Sequence, residues 1–224
     1  MKSKKVIIFG VSDFAKLIKH YFDIDSKYKI VAFCIDDKYQ KDDTFCGLPV
    51  IKYSEINKYS PNEYSFFIAI GYSKLNSIRA EVYTRLKKLG YSFVNYISSY
   101  ATVLSDDIGE NCMICENTTI EPFAKIGNNV FIWNGNCIAH QAIIEDNVFI
   151  TSKVMICGYV KIGTNSFIGV NTTITDKIEL GKNCIIGAGS LIKSNLSDNS
   201  VCITKETKKM KIDSAQYFKL GLEL

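Results

Sequence analysis

Histidine is scarce in this sequence: 224 residues contain two, His20 and His140. A zinc ion held by three imidazoles with an activated water is therefore excluded. Of eight cysteines, only Cys112 and Cys115 are spaced C-x-x-C, and no second ligand pair accompanies them. No metal site is read, and packing is the expected role of these thiols. No apolar run is long enough to span a bilayer, and the run from Val6 to Gly10 is too short for a signal peptide. These absences predict a cytoplasmic chain with reduced cysteines. The net charge is +4 with scattered lysines, which gives no ground for a nucleic-acid partner. Of the dinucleotide fingerprint G-x-G-x-x-G only Gly10 is present. That argues against a nicotinamide dehydrogenase and leaves a mononucleotide or nucleotide sugar open.

What is present divides into two halves. Lys5 to Phe9 reads as a buried parallel strand that ends in a turn at Gly10. Phe14, Leu17, Ile18, Tyr21 and Phe22 then have helical spacing, with Asp13 as the expected cap. Further apolar runs end at Asp36-Asp37 and at Gly71. A helix is expected over residues 74 to 89, stopped by Gly90, and a last strand over Tyr91 to Ile97. Strands alternating with helices predict a parallel sheet. Ligands of such sheets bind beyond the carboxyl ends of the strands. Gly10, Ser12, Asp36, Asp37 and Gly71 stand at such ends.

The second half repeats every six residues. From Ile108 to Ile192 each sixth position is aliphatic, isoleucine at every one except Leu180. The position two before it is mostly small or β-branched. Glycine often follows it, as at Gly109, Gly127, Gly163 and Gly187, and Asn tends to come next. Both residue types suit sharp turns. Six residues make one side of a triangular coil, and three sides make a coil of 18 that rises by one strand spacing. The aliphatic side chain points into the prism, and stacking alone buries it. The expected fold is an α/β N-terminal Rossmann-like domain (1–97) plus a C-terminal left-handed parallel β-helix (98–203). A tail or short helix (204–224) follows. The α/β domain is expected to cap one open end of the solenoid.

The hexapeptide pattern over about 98 to 203 resembles the left-handed β-helix acyltransferases. With the α/β unit in front, the chain is similar to bacterial nucleotide-sugar N-acetyltransferases of the bacillosamine-pathway and sialic acid O-acetyltransferase type. The stretch from Asn134 to Gln141 matches the family's segment around its catalytic histidine. The resemblance implies that His140 is the general base, with Asn134 beside it, and histidine's ordinary pKa of about 6.5 suits that role. It also implies that the Gly158 amide donates to the thioester oxygen. Gly158 lies 18 residues after His140, one coil on. The same resemblance implies coenzyme A contacts at Phe149, Val170, Gly187 and Ala188, in a groove between β-helices of a homotrimer. Trimerisation would bury Trp133. It further implies nucleotide-sugar contacts at Ser12, Asp13, Phe14, Asp36, Asp37 and Gly71.

Three departures from the family pattern stand out. Asp13-Phe14 replaces the usual Gly-His of the first turn. Gln141 replaces the acid after the base, so either Glu145 or another residue substitutes for it, or the base is weaker. The usual closing turn is missing. The activity implied is acyl-CoA-dependent transfer, with acetyl-CoA as donor, onto the amine of a nucleotide-linked sugar for a surface glycan. O-acylation, a larger donor such as 3-hydroxybutanoyl-CoA, and a non-catalytic nucleotide-sugar scaffold remain open beside it.

Overall fold

The computed structural model describes residues 5–219. In the first half, strands β1 (Lys5–Phe9), β2 (Ile30–Ile35), β3 (Thr44–Phe45), β4 (Leu48–Lys52), β5 (Tyr64–Ile68) and β6 (Ser92–Phe93) form one sheet. Its order is β3-β4-β2-β1-β5-β6, parallel except at the β3–β4 hairpin. Helices α1 (Asp13–Ile24) and α2 (Ser77–Lys88) connect strands across it. The central strands β1, β2 and β5 are mostly apolar because both faces are buried. Val6, Ile8, Phe33 and Phe67 point to the α1 side, while Ile7, Phe9, Ala32 and Phe66 point to the α2 side with Val82 and Leu86.

The cap of α1 is Ser12, whose Oγ accepts from the Ala15 amide, and Asp13 is the first helical residue instead. The second helix starts later than its apolar pattern suggests. Lys74, Leu75 and Asn76 have φ of 48°, 50° and 64°, a left-handed turn that no helix continues. That turn aims Asn76 Nδ2 at the carbonyls of Asn165 (2.9 Å) and Ser166 (3.3 Å) in the second half.

The second half is a parallel β-helix of three sheets. One face stacks Tyr96–Ile97, Met113–Ile114, Phe131–Ile132, Phe149–Ile150, Phe167–Ile168, Ile185–Ile186 and Val201–Cys202. The second runs from Thr102–Val103 to Leu191–Ile192, and the third from Lys125–Ile126 to Glu179–Leu180. Partners lie 18 residues apart, as Ile132 with Ile150. The end coils are shorter: Ile97 pairs with Ile114, and Ile186 with Cys202. The expected strand over Tyr91 to Ile97 therefore splits. Ser92–Phe93 closes the α/β sheet, and Tyr96–Ile97 already opens the solenoid. After the last coil, Ser214–Lys219 form a short helix.

Turn chemistry differs from the expectation in one respect. Every sixth residue from Asn111 to Gly189 has a φ between 54° and 71°. This left-handed column precedes the small inward residue, and half of it is Asn, which accepts it more readily than other side-chain-bearing residues. The glycines after the aliphatic position lie outside it and answer a different need. A Cβ on Gly163 would stand 2.5 Å from the Gly181 carbonyl carbon, and one on Gly169 2.5 Å from the Ala188 nitrogen. They are glycines because successive coils touch there.

The α/β domain covers a face of the solenoid, not its open end. Met113, Phe131 and Phe149 point outward from the first face into the cluster formed by Ala15, Ile18, Phe22 and Phe67. Arg79 on α2 crosses this junction fully buried. Its guanidinium donates to the carbonyls of Gly71 (3.1 Å), Asn129 (3.2 Å) and Asn147 (3.0 Å) and to Asn76 Oδ1 (3.0 Å). It also lies 4.4 Å from the centroid of the Phe131 ring. Burial pushes its pKa down to about 9, which leaves it charged at neutral pH.

Candidate functional site

A cleft of about 730 Å³ opens where the carboxyl ends of β1 and β5 face the solenoid. On the α/β side Gly10, Ser12, Phe14 and Gly71 line it, and Tyr72 and Ser73 add to that wall. Gly10 is required there: its φ is 127°, and a Cβ would meet the Ala69 carbonyl oxygen at 2.8 Å. The N-terminus of α1 borders the cleft through Ser12 and Phe14, and a helix N-terminus favours an anion. The opposite wall is Trp133, Phe149, Thr151 and Ser152. Trp133, expected at an intersubunit surface, is half-buried with its ring 6.0 Å from Phe14. Phe149 stands in this cleft, away from the exposed corner of Val170 and Ala188, and its ring packs 5.2 Å from Tyr72.

Other residues of the expected sugar-binding set are engaged elsewhere. Asp13 is exposed in the first turn of α1 and does not line the cleft. Both oxygens of Asp36 are held by Arg85, at 2.9 and 3.1 Å. Asp37 accepts from the Ser54 hydroxyl and amide, which hold its carboxyl below the usual carboxylate range. These pairs brace the short 3-10 turn after β2 and leave neither carboxylate in the cleft. Sequence reasoning missed Tyr72, Ser152 and Arg79, since none belongs to a spaced motif.

His140 occupies a different corner, between the second and third faces of the solenoid. Its ring lies over Gly158 in the next coil: a Cβ there would sit 2.7 Å from Cε1 and 3.1 Å from Nε2. Tyr159 meets the ring edge-on, with centroids 5.5 Å apart. Nδ1 contacts Gln141 Oε1. An amide oxygen can only accept, so Nδ1 carries the hydrogen, and in the neutral ring the lone pair is then on Nε2. Glu121 Oε2 accepts from the His140 backbone amide at 2.8 Å. Glu145 lies at the following corner, bound to Thr164 and Lys161, and gives the imidazole no carboxylate. The Gly158 amide donates to Asp176 Oδ1 at 3.0 Å.

Asn134 falls in the corner column of Ser152, Val170 and Ala188, and its Oδ1 accepts from Ser152 Oγ at 2.6 Å. Val170 and Ala188 are exposed, and Gly187 packs against Cys202 and Ile203. Cys112 and Cys115 are fully buried free thiols; Cys112 donates to the Gly127 carbonyl, and burial pushes its pKa up to about 12. Among the described residues no three His, Cys, Asp or Glu side chains are grouped to hold a metal, and no helix is long and apolar enough to cross a membrane.

Two family models match the chain. The PglD N-terminal domain matches residues 5–86, and the bacterial transferase hexapeptide (six repeats) matches 107–140, 123–158 and 159–194. No curated protein matches. Solved structures do. A variant of perosamine N-acetyltransferase from Caulobacter crescentus, in complex with CoA and GDP-perosamine, is 22% identical. It covers 89% of this chain and 93% of its own, with a TM-score of 0.79. The acetyltransferase domain of PglB from Neisseria gonorrhoeae, in complex with acetyl coenzyme A, is 20% identical. It covers 93% of this chain and all of its own, with a TM-score of 0.77. WeeI from Acinetobacter baumannii is 23% identical over 89% and 96%, with a TM-score of 0.74. At these identities the likeness fixes the fold. The chain carries a PglD N-terminal domain followed by bacterial transferase hexapeptide repeats.

Proposed function

We propose that the chain is an acyl-CoA-dependent N-acyltransferase that acts on a nucleotide-linked amino sugar, with acetyl-CoA as donor and a surface glycan as destination. The observation that carries this reading is His140 seated on Gly158 with Nδ1 against Gln141 Oε1. Nε2 is then free to take a proton from the sugar amine as its nitrogen attacks the thioester carbonyl. The new C–N bond forms, the C–S bond breaks, and the proton passes from Nε2 to the departing sulfur. Gln141 fixes the tautomer but adds no negative charge beside the imidazolium. The Gly158 amide serves the thioester oxygen once that oxygen replaces Asp176 Oδ1 on it. The neighbours solved with CoA, and with CoA and GDP-perosamine, support the two ligand classes.

The sugar nucleotide enters the cleft along Gly10, Ser12, Phe14 and Gly71. The acyl carrier runs along the corner of Asn134, Val170, Gly187 and Ala188. Within one chain both lie away from the His140 corner, so a complete site needs the neighbouring copy's His140, as in a homotrimer. The test mixes two inactive proteins, His140→Ala and Gly10→Val, by joint unfolding and refolding, and follows thiol release from acetyl-CoA with UDP-, dTDP- and GDP-linked amino sugars. Wild type turns over, each variant alone does not, and the mixture recovers part of the activity. Turnover by pure His140→Ala would overturn the base assignment. Turnover only with hydroxyl acceptors would move the reading to O-acylation.

A further inference from the structure

The left-handed column of the coil turns breaks its own rule beside His140. Asn, Gly, Lys and Gln fill that column except at Phe123 and Tyr159, which have φ of 64° and 59°. A bulky aromatic residue is rare in this region, because its Cβ crowds the backbone. Both stand in one corner, a coil before and a coil after Gln141, and both are exposed, Phe123 at 72% and Tyr159 at 53%. The main chain does not ask for them. The Tyr159 amide donates to the His140 carbonyl (3.1 Å) just as the Asn165 amide donates to Asp146 (3.1 Å) one turn later. Strain that persists at an exposed position points to a use for the side chain.

Tyr159 has such a use. Its ring stands perpendicular to the His140 imidazole, with the planes at 85° and the centroids 5.5 Å apart, within the range of favourable aromatic pairs. Among the described residues it is the one ring that meets His140. The imidazole is then fixed in two stages. Gly158 lies beneath it, since a Cβ there would stand 2.7, 3.1 and 3.3 Å from Cε1, Nε2 and Nδ1, and Tyr159 opposes rotation out of that plane. Gln141 chooses between the two flips left open by placing Oε1 on Nδ1. A neutral amide holds a ring less firmly than a carboxylate, whose charge-assisted bond is roughly twice as strong. Packing against Tyr159 supplies part of that hold.

We propose that Tyr159 is a positioning residue for the acyl transfer: its ring keeps the His140 imidazole on Gly158, so that Nε2 faces the incoming amine. The proposal rests on the acyltransferase reading above and extends it to a residue that no spaced motif marks. Phe123 shares the strained backbone without the ring contact and serves as the control.

Two measurements test this, one of them without turnover. The chain has two histidines, so the ring nitrogens of His140 are assigned in a nitrogen-15 spectrum by their loss in His140→Ala. At about pH 9, where histidine is neutral, wild type should show one protonated and one bare nitrogen. Tyr159→Asn should draw the two signals together as the tautomers mix, and Tyr159→Phe should keep them apart. In a thiol-release assay Tyr159→Asn should lose about tenfold in kcat at unchanged KM, and Tyr159→Phe should retain it. The melting temperature of Tyr159→Asn should equal or exceed that of wild type, because Asn suits the left-handed turn, so the loss is not one of folding. Phe123→Asn should match wild type in spectrum and kcat. Averaged nitrogens in wild type, unmoved signals in Tyr159→Asn, or equal kcat losses at both positions would overturn the proposal. A loss in Tyr159→Phe would give the role to the hydroxyl and overturn it as well. If wild type releases no thiol with any amino sugar, the acyltransferase reading falls, and the nitrogen-15 spectra alone decide the ring contact.

Discussion

At Gly158 one methyl group tests the seat of the imidazole. The glycine's φ lies outside the left-handed region, so its backbone accepts alanine, but the added Cβ would stand 2.7 Å from His140 Cε1. The ring must tilt away. A displacement of about 1 Å in a reacting group costs on the order of 100-fold in rate. Gly158→Ala should lose about that much kcat in a thiol-release assay while its melting temperature holds. Unchanged turnover would remove His140 from the chemistry. The stacking of these two residues was legible from their spacing of 18. What binds the Gly158 amide was not: Asp176 is one more coil away and carries no motif. Arg79 was equally hidden. Its partners Asn129 and Asn147 are 50 and 68 residues distant, and only the packed junction shows why a guanidinium sits on α2.

Among the elements, the coil turns separate two uses of small residues that look alike in sequence. At Asn183 (φ 56°) the backbone is left-handed. Both Asn183→Gly and Asn183→Ala lose the side-chain bonds to Asn165 and Asn199, and Asn183→Ala should cost about 1 kcal/mol more than Asn183→Gly. At Gly163 the backbone is ordinary but the next coil is in contact. Gly163→Ala should cost about 1–3 kcal/mol. Urea unfolding of the three variants beside wild type checks the order; an equal loss at both positions would make the turns equivalent. The isoleucine ladder revealed the solenoid because stacking admits one kind of inward side chain. The count itself breaks at both ends, because the period changes there. Val103 precedes Ile108 by five residues, and Leu196 follows Ile192 by four, so a strict count of six stops short on both sides. The left-handed column stayed hidden because Lys, Phe, Gln and Tyr share it with Asn.

The whole molecule is held together where the α/β sheet lies on the solenoid's first face, and a carboxylate latches one edge of that junction. Asp25, at the end of α1, accepts from the Ser99 amide (2.9 Å), Ser98 Oγ (2.8 Å) and Tyr96 Oη (3.3 Å). Hydrogen bonds from Ser99, then Ser98 and Tyr96, hold its carboxyl below the ordinary value. The unfolded chain then binds this proton more readily than the folded one. The latch is fully formed above the unfolded pKa of about 3.9 and is lost as pH falls through the lower folded value. Asp25→Asn should melt below wild type at pH 7, and the gap should close in acid; a gap that persists at pH 2 would deny the latch. The buried sulfurs offer a readout of the same cohesion. Cys34 lies within the α/β sheet, Cys112 in an early coil and Cys184 in a late one, all fully buried. Burial raises all three thiols, Cys34 and Cys112 to about 12, so an alkylating reagent meets almost no thiolate until a segment opens. Their separate labelling rates would therefore time the fraying of each end of the solenoid against the opening of the sheet, with the native sequence as its own reporter.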